Sequence, residues 1–582
     1  MGYRAPTEEM AFTLEHVAGL AQARGDAGAA ELAAEDVEAI LTEAGRYAEE
    51  VLAPLNRGGD TDGAALKDGK VTVPAGWKEA YDGWVEGGWA TLTGAEAYGG
   101  QGLPMALQVA TTDIWNQANP AFAINPVLTI CAIEAIEAHG SDTLKARYLP
   151  HLISGRWTWT MNLTEPHAGS DLAELRTRAE PQADGTYRLF GQKIYITYGE
   201  HDLTENIIHM VLARLPDAPA GTKGISLFLV PKILVNEDGS LGEPNDLVCG
   251  GVEHKLGLHG SPTCTMIYGA GGDGAVGTLV GEPNRGLYAM FTMMNNARVQ
   301  VGMQGAAVAE RAFQQAAEYA AERRQGRVPG VDGMVPINAH PDVKRMLLAM
   351  ETLTKAARAI CYSCAVAIDR GRDDPFWQKR ADLLTPLAKA FATDAGVEVA
   401  SMGIQVHGGM GYVEETGAAQ HYRDARIFPI YEGTNGIQAI DLVRRKIGMD
   451  EGAVLSDYLA ELRAISDSAR GANAVDLAIV ARRLDVAIDA VEEAAGALRD
   501  ALGAGAADRA LAGATPFLRA LATTAGGAYL AKAATVESDG APRRAALARF
   551  FAQTNLIEVP PLCETATDGA ASVLDPAMAP AA

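Results

Sequence analysis

The sequence predicts a mainly α protein carrying one β domain. The expected order is an N-terminal helical domain (1–155), a middle β-barrel or sandwich (156–283), a four-helix bundle (284–449) and an extra helical region with a disordered tail (450–582). Apolar residues recur at helical spacing up to about residue 155 and again from Leu287 onward. Between these stretches lie short runs rich in β-branched and aromatic residues, separated by turn signals. The chain has 582 residues, 48% hydrophobic and 21% charged, which is ordinary for a globular protein and too long for a single core.

In the first region, tight breaks are expected at Gly58-Gly59 and at Tyr98-Gly-Gly-Gln-Gly102. Ser141-Asp142 opens a helix over Thr143 to Ile153. Trp77, Trp84 and Trp89 lie near helical spacing and are expected in the core. In the second region, strands are expected at Tyr187–Thr197, Ile208–Arg214 and Ile225–Val230, with turns at Asp184-Gly185 and Pro216-Asp217. In the third, Leu287 to Arg324 reads as one helix, on the order of 55 Å long at 1.5 Å per residue. A second helix runs from Pro341 to Ile368. A third follows Asp374 and should be broken or kinked at Pro386, and a fourth follows Thr434. Beyond residue 450 an Ala-rich helical region spans Leu455 to about Phe551, and Asp575 to Ala582 reads as a disordered tail.

A net charge of −24 argues against nucleic-acid partners, whose affinity comes mainly from phosphate neutralisation. No uninterrupted run of eighteen apolar residues predicts a membrane span. The start has neither the apolar core of a signal peptide nor a myristoylation pattern, so a cytoplasmic enzyme is expected. Six cysteines fit a reducing compartment, and Cys361-Tyr-Ser-Cys364 lies in an apolar helical run, where buried thiols are expected rather than a metal or redox site.

Three segments carry the chemistry. In Arg426-Ile-Phe-Pro-Ile-Tyr-Glu-Gly-Thr-Asn-Gly-Ile-Gln438, Glu432 stands between Tyr431, an apolar wall, and Gly433, where backbone can approach a ligand closely. Desolvation raises a carboxyl's pKa, which suits a base that removes a weakly acidic C–H proton. A helix-start glutamate beside a turn glycine is the structural alternative. The loop Met161-Asn-Leu-Thr-Glu-Pro-His-Ala-Gly-Ser-Asp171 is rich in hydroxyl and backbone donors that can lie along a polar ring edge or a phosphate. In Gln405-Val-His-Gly-Gly-Met-Gly-Tyr412, small residues would let backbone amides approach a pyrophosphate, although no strand precedes them as a Rossmann site requires.

Together these segments resemble the acyl-CoA dehydrogenase family across roughly residues 35 to 448. The matching motifs are Thr164-Glu-Pro-His-Ala-Gly-Ser-Asp171, Lys193-Ile-Tyr-Ile-Thr197, Gln405-Val-His-Gly-Gly409 and Tyr422-Arg-Asp-Ala-Arg426, the last leading to the glutamate. The resemblance implies FAD between the β domain and the bundle, lined by Met161, Leu163, Thr164 and Ser170, with Tyr195 and Thr197 against the flavin ring. The family usually has Trp at the position of Tyr195. Arg323 resembles the arginine that reaches the FAD pyrophosphate of a neighbouring subunit, which implies a homo-oligomer, with a homodimer as the expected form. Gln405, Gly408 and Gly409 would complete that site, and Thr434 would return to the adenosine side. Family members usually continue with Phe-Gly after the position of Gln325, where this chain has Gly326-Arg327.

By the same resemblance, Glu432 takes the α-proton of an acyl-CoA thioester while the β-hydrogen leaves as hydride to the flavin, giving a trans-2-enoyl-CoA. Ser170, Arg298, Tyr431 and Gly433 would touch or shape the acyl-CoA site. Electrons would pass to a carrier similar to electron-transfer flavoprotein, with oxygen as the alternative acceptor. Some members carry the base on the long bundle helix, but the corresponding position here is Ala297, which cannot serve. Extended relatives include long-chain enzymes, 3-(methylthio)propanoyl-CoA enzymes and a DNA-associated stress protein. Tyr195–Asp202 and Lys255–Cys264 most resemble the methylthio branch. From Asp450 onward there are 11 Lys and Arg against 18 Asp and Glu, the wrong sign for a DNA-binding extension.

Overall fold

Residues 2–24, 32–472 and 474–578 are described by the structure, a computed structural model. The chain forms two compact units. One comprises Met1–Arg46, Met105–Gln117 and Arg298–Ala582, the other Tyr47–Pro104 and Ala118–Ala297.

The second unit is organised by the strand Asn206–Arg214, which is buried on both faces. Side chains alternate across a strand, so one strand can serve two cores. Ile208, Met210 and Leu212 join one core with Trp157, Trp159 and the helices Pro120–His139 and Asp142–Ile153. Val211 and Ala213 join another, with Leu189, Phe228 and Val230. The expected strands appear as Tyr187–Thr197, Asn206–Arg214 and Ile225–Pro231. In the sheet, Tyr187–Thr197 pairs with Ala275–Val280, which pairs with Ile225–Pro231, which pairs with Asn206–Arg214. Arg178–Pro181 pairs with both Tyr187–Thr197 and Asn206–Arg214, closing a five-stranded ring. Trp157–Asn162 adds to Asn206–Arg214 in parallel, so Met161 lies within a strand, one residue from its end, rather than opening the loop.

Two expectations for this unit are corrected. Gly58 and Gly59 lie inside the helix Ala53–Asp62 and do not break it. A Cβ on Gly59 would stand 2.6 Å from the buried Trp77 ring, so this glycine makes room for packing rather than a turn. The hairpin Ala65–Lys67/Lys70–Thr72 was not expected in a helical region, although its Asp68-Gly69 turn has the sequence and left-handed backbone such hairpins prefer. Trp77, Trp84 and Trp89 are buried, as expected. Pro120–His139 is long and apolar enough to cross a membrane, but 83% of its apolar window is buried inside the protein, as in a core helix.

In the first unit the long helices appear as Gly286–Glu322, shared at its start with the second unit, then Pro341–Gly371 and Pro375–His407. Asp374 caps the last of these by accepting from Phe376 N–H at 2.9 Å. That helix runs through Pro386 without a break, because the residues around Pro386 are buried against neighbouring helices. The fourth helix is short: Asn435–Asp441, followed by a π-turn over Leu442–Lys446. Small residues bring Gly286–Glu322 and Pro375–His407 into close contact. A Cβ on Gly305 would stand 2.3 Å from Ala392 O, and one on Gly302 2.6 Å from Ala388 O. Gly305→Ala is therefore expected to destabilise the protein by about 1–3 kcal/mol, measured as a lowered urea midpoint.

The Ala-rich region folds as helices Ala453–Gly471, Val475–Gly503, Ala514–Thr535 and Ala541–Thr554, with shorter ones after them. Ala514–Thr535 is apolar nearly all round and is the central helix of this group. It approaches Pro341–Gly371 closely: a Cβ on Gly526 would be 2.9 Å from Ala356 Cβ. Pro576–Met578 forms a single 3₁₀ turn in the expected tail, and 579–582 lie outside the described residues. Cys361 and Cys364 are fully buried free thiols, as expected.

Candidate active site

Glu432 sits in a left-handed backbone conformation, with φ of +54°. Such a conformation is strained for a residue with a side chain and persists only where its surroundings hold it. The turn continues through Gly433, also left-handed with φ of +82°. Thr434 then caps the helix Asn435–Asp441, its hydroxyl accepting from Ile437 N–H at 3.3 Å. The turn is held from several directions. Gln438, fully buried, donates from Nε2 to the carbonyls of Glu432 (3.3 Å) and Gly433 (3.2 Å). Asn435 N–H donates to Pro429 O at 3.0 Å. Tyr431 stacks on Phe428 and its hydroxyl donates to Gln304 Oε1. Gln304 in turn donates to Asn116 at 3.0 Å.

Burial pushes the Glu432 carboxyl above the usual glutamate range, while Arg298 and Lys389 oppose that shift. Arg298 is buried, and a Cβ on Gly433 would lie 3.8 Å from its Nη2. Lys389 has no exposed surface and donates from Nζ to Asn435 Oδ1 at 2.8 Å. A desolvated carboxylate attended by two cations can be a proton acceptor tuned toward neutral pH.

Of the predicted dinucleotide residues of this unit, Arg323, Gln405, Gly408 and Gly409 flank two helix ends that touch, while Thr434 lies in the Glu432 turn. Tyr319, near the end of Gly286–Glu322, stacks on His407, the last residue of Pro375–His407, with centroids 4.5 Å apart. That contact joins the helix end that precedes Arg323 to the helix end that carries Gln405 and leads into Gly408 and Gly409. All four are exposed. A Cβ on Gly408 or Gly409 would meet nothing within 4 Å, so a phosphate could come close to this backbone, and Arg323 supplies a positive fork. After Arg323 the chain turns back, Gln325 N–H donating to Val335 O at 3.0 Å, with Gly326 left-handed.

On the β unit, Met161, Leu163, Thr164, Tyr195 and Thr197 come together. Ile194 N–H donates to Thr164 O at 3.0 Å, and Thr160 Oγ1 to Thr197 O at 2.7 Å. Opposite Thr263–Tyr268 the register of Tyr187–Thr197 shifts by one residue, and Tyr195 takes a left-handed φ of +61°. Bulges re-aim side chains, and Tyr195 is 61% exposed. An exposed ring near the partly buried Leu163 and Thr164 fits the face of a flavin. Ser170 follows the tight turn Glu165–Ala168 and is exposed.

The residues that hold these segments are less visible in sequence. Glu165 accepts from Thr177 Oγ1 (2.6 Å), Thr177 N–H (3.0 Å) and Arg176 N–H (2.8 Å), and pairs with the fully buried Lys193 at 2.9 Å. Lys193 also donates to Leu163 O at 3.0 Å. Burial works against ionisation of Glu165, but Lys193 and these hydrogen bonds outweigh it and hold the carboxyl below its ordinary range. Burial draws Lys193 down to about 8 despite Glu165. The pair anchors the loop, at Leu163 and Glu165, to the strand carrying Tyr195. Gln438, Lys389 and Asn435 do the same for Glu432. Glu165 and Lys193 stand inside the motif segments, but each finds its partner 28 residues away, whereas Gln438 bonds back within its own segment.

Sequence models of four domains match the chain in order. These are the acyl-CoA dehydrogenase N-terminal domain over 34–156, the middle domain over 160–269, the C-terminal domain over 284–447 and an acetyl-CoA dehydrogenase C-terminal-like domain over 458–576. The chain is 46% identical to a 3-methylmercaptopropionyl-CoA dehydrogenase of Ruegeria pomeroyi, covering 96% of this chain and 97% of that one. It is 33% identical to a broad-specificity linear acyl-CoA dehydrogenase of Mycobacterium tuberculosis, over 81% of this chain and 79% of that one. In fold it resembles Caenorhabditis elegans ACDH-11 in complex with C11-CoA, with a TM-score of 0.79 at 21% identity over 99% of this chain and 96% of that one. A Bacillus anthracis acyl-CoA dehydrogenase complexed with FAD gives 0.74 at 21% identity, over 91% of this chain and 88% of that one. The chain belongs to the acyl-CoA dehydrogenase family, and is an FAD-dependent oxidoreductase acting on acyl-CoA.

Proposed function

We propose that Glu432 is the base of α,β-dehydrogenation and that the acyl-CoA is 3-(methylthio)propanoyl-CoA. The observation that carries the first part is the left-handed, desolvated Glu432 with Arg298 and Lys389 within electrostatic reach. Glu432 accepts the α-proton as the Cα=Cβ bond forms, leaving a protonated carboxyl. FAD, when bound, accepts the β-hydrogen as hydride. Arg298 and Gly433 shape the thioester end of the site, and Tyr431, braced by Gln304, walls it. Met161, Leu163, Thr164, Ser170, Tyr195 and Thr197 would line the flavin; Arg323, Gln405, Gly408 and Gly409 would hold the dinucleotide part of a neighbouring subunit's FAD, and Thr434 would lie on the adenosine side.

The substrate rests on the Ruegeria pomeroyi relative, whose likeness extends over nearly the whole chain, including the C-terminal helices. We place the enzyme in the cytoplasm, in keeping with its six unbridged, buried cysteines, and propose electron-transfer flavoprotein as its acceptor and a homodimer as its assembly. The exposed Arg323 suits a reach toward a neighbouring subunit's cofactor.

Anaerobic flavin bleaching across straight, branched and methylthio acyl-CoAs tests the substrate. Fastest bleaching by the methylthio thioester is expected; fastest bleaching by a long linear chain would transfer the assignment to a broad-specificity enzyme. The pH profile of kcat/KM tests the base. A raised folded pKa means that the ionised, active form is lost on acidification at higher pH than for an ordinary glutamate. The acid limb should therefore lie above the usual carboxylate range. A limb within it would show that the titrating base is not this desolvated carboxyl.

A further inference from the structure

Lys389 lies about four turns from the start of the Pro375–His407 helix and has no exposed surface. A buried ammonium is costly unless paired and hydrogen-bonded, so its surroundings are informative. Nζ donates to Asn435 Oδ1 at 2.8 Å. Asn435 spends its amide group on the same helix, donating from Nδ2 to Thr393 Oγ1 (3.0 Å), Asp394 Oδ1 (2.7 Å) and Ala390 O (3.2 Å). Asn435 is the first residue of the helix that Thr434 caps, three residues past Glu432. The charges facing Lys389 are the Glu432 and Asp394 carboxylates, with Arg298 opposing. Burial draws its ammonium down to about 7, against the pull of Glu432 and Asp394.

We propose that Lys389 is a positioning residue for the dehydrogenation: through Asn435 it fixes the left-handed turn that carries Glu432, and it places a second positive charge within electrostatic reach of that carboxylate. The inference rests on the reading of Glu432 as the base. A fold staple alone would need only the Asn435 contacts to Thr393, Asp394 and Ala390. Lys389 adds a cation coupled to the carboxylate that must ionise. Gln438 holds the turn from the short helix, and the Lys389–Asn435 pair holds it from the long one. A left-handed glutamate released from either side can relax toward ordinary backbone geometry, which displaces its carboxylate.

The test uses FAD-loaded enzyme carrying Lys389→Met, Lys389→Gln or Asn435→Ala, with flavin content, kcat, KM and the pH profile of kcat as readouts. Lys389→Met should lower kcat by about 10–100-fold with KM changed much less. Its acid limb should move to higher pH, because Glu432 loses one of the two cations favouring its ionised form. Lys389→Gln, which keeps a donor for Asn435, should show the same displaced limb with a smaller loss of kcat. Asn435→Ala should lower kcat while leaving the limb near its original place. An unchanged kcat and limb in the lysine variants would overturn the proposal, as would activity lost only in proportion to flavin content. Should Lys389→Met fail to retain FAD, the Gln and Ala variants decide by the same readouts. Glu432→Gln separates the two readings: if it still dehydrogenates, the assignment of the base fails. If it is inactive while the Lys389 variants behave as wild type, only the positioning role fails.

Discussion

Glu432→Gln should retain FAD and lose acyl-CoA-driven flavin reduction by about 10⁴-fold, the upper end of what a positioned general base supplies. The large effect follows from the absence of a substitute. The groups that act on its charge, Arg298 and Lys389, are both basic and neither is a carboxylate. The alternative position on the long helix is Ala297, which has no ionisable group. Glutamine is close in size to glutamate, so the turn and its Gln438 bonds should survive. Anaerobic stopped-flow measures the rate; reduction within tenfold of wild type would place the base elsewhere.

The second large effect is structural. Arg358 and Asp113 are both almost completely buried, with Arg358 Nε donating to Asp113 Oδ2 at 2.7 Å. Tyr362 donates to the same oxygen at 2.9 Å, and Arg358 Nη1 to Glu310 at 3.1 Å. Burial opposes the charged guanidinium, but Asp113 and Glu310 outweigh it and hold Arg358 well above its ordinary range. Asp113→Leu would leave Arg358 with the more distant Glu310 alone and strand the Tyr362 hydroxyl. Breaking one side of a buried pair typically costs about 3–5 kcal/mol. The urea midpoint of the FAD-loaded enzyme should fall accordingly. Adding Arg358→Met should recover part of the loss, because the uncompensated charge is then gone. A midpoint equal to wild type in the single variant would contradict this account.

What the sequence makes legible follows from which forces are local. Strand Tyr187–Thr197 and helix Gly286–Glu322 carry strong periodicity, so their placement within a residue or two needs no knowledge of their neighbours. Asp374 caps its helix through a contact only two residues long. Gly59 and Pro386 read as breaks because each is a local helix breaker, yet both lie within continuous helices. Trp77 demands the space at Gly59, and burial on several sides outweighs the lost N–H at Pro386. The hairpin at Asp68-Gly69 had its turn signal in view, but its strands are three residues long, too short for alternation to register.

The candidate site divides in the same way. Glu432, Tyr431, Gly433 and Thr434 form one turn, and the sequence places them together. Tyr195's outward ring depends on a bulge set by its partner strand, which no property of Lys193–Thr197 announces. Lys389 and Asn435 are 46 residues apart, and Lys193 and Glu165 are 28 apart; each pair is buried by the fold rather than marked by spacing. The supporting shell was therefore the least legible part, although it holds Glu432 in a conformation it would not choose alone.

The central claim is that Glu432 removes the α-proton of an acyl-CoA while flavin takes the β-hydride. Its most direct test is stopped-flow flavin reduction by 3-(methylthio)propanoyl-CoA deuterated at C2, at C3 or at both, in wild type and in Glu432→Gln. Deuterium at either carbon should slow wild-type reduction, and Glu432→Gln should show no reduction on the same timescale. Wild-type reduction indifferent to deuterium at C2, together with a Glu432→Gln enzyme reduced at the wild-type rate, would contradict the account.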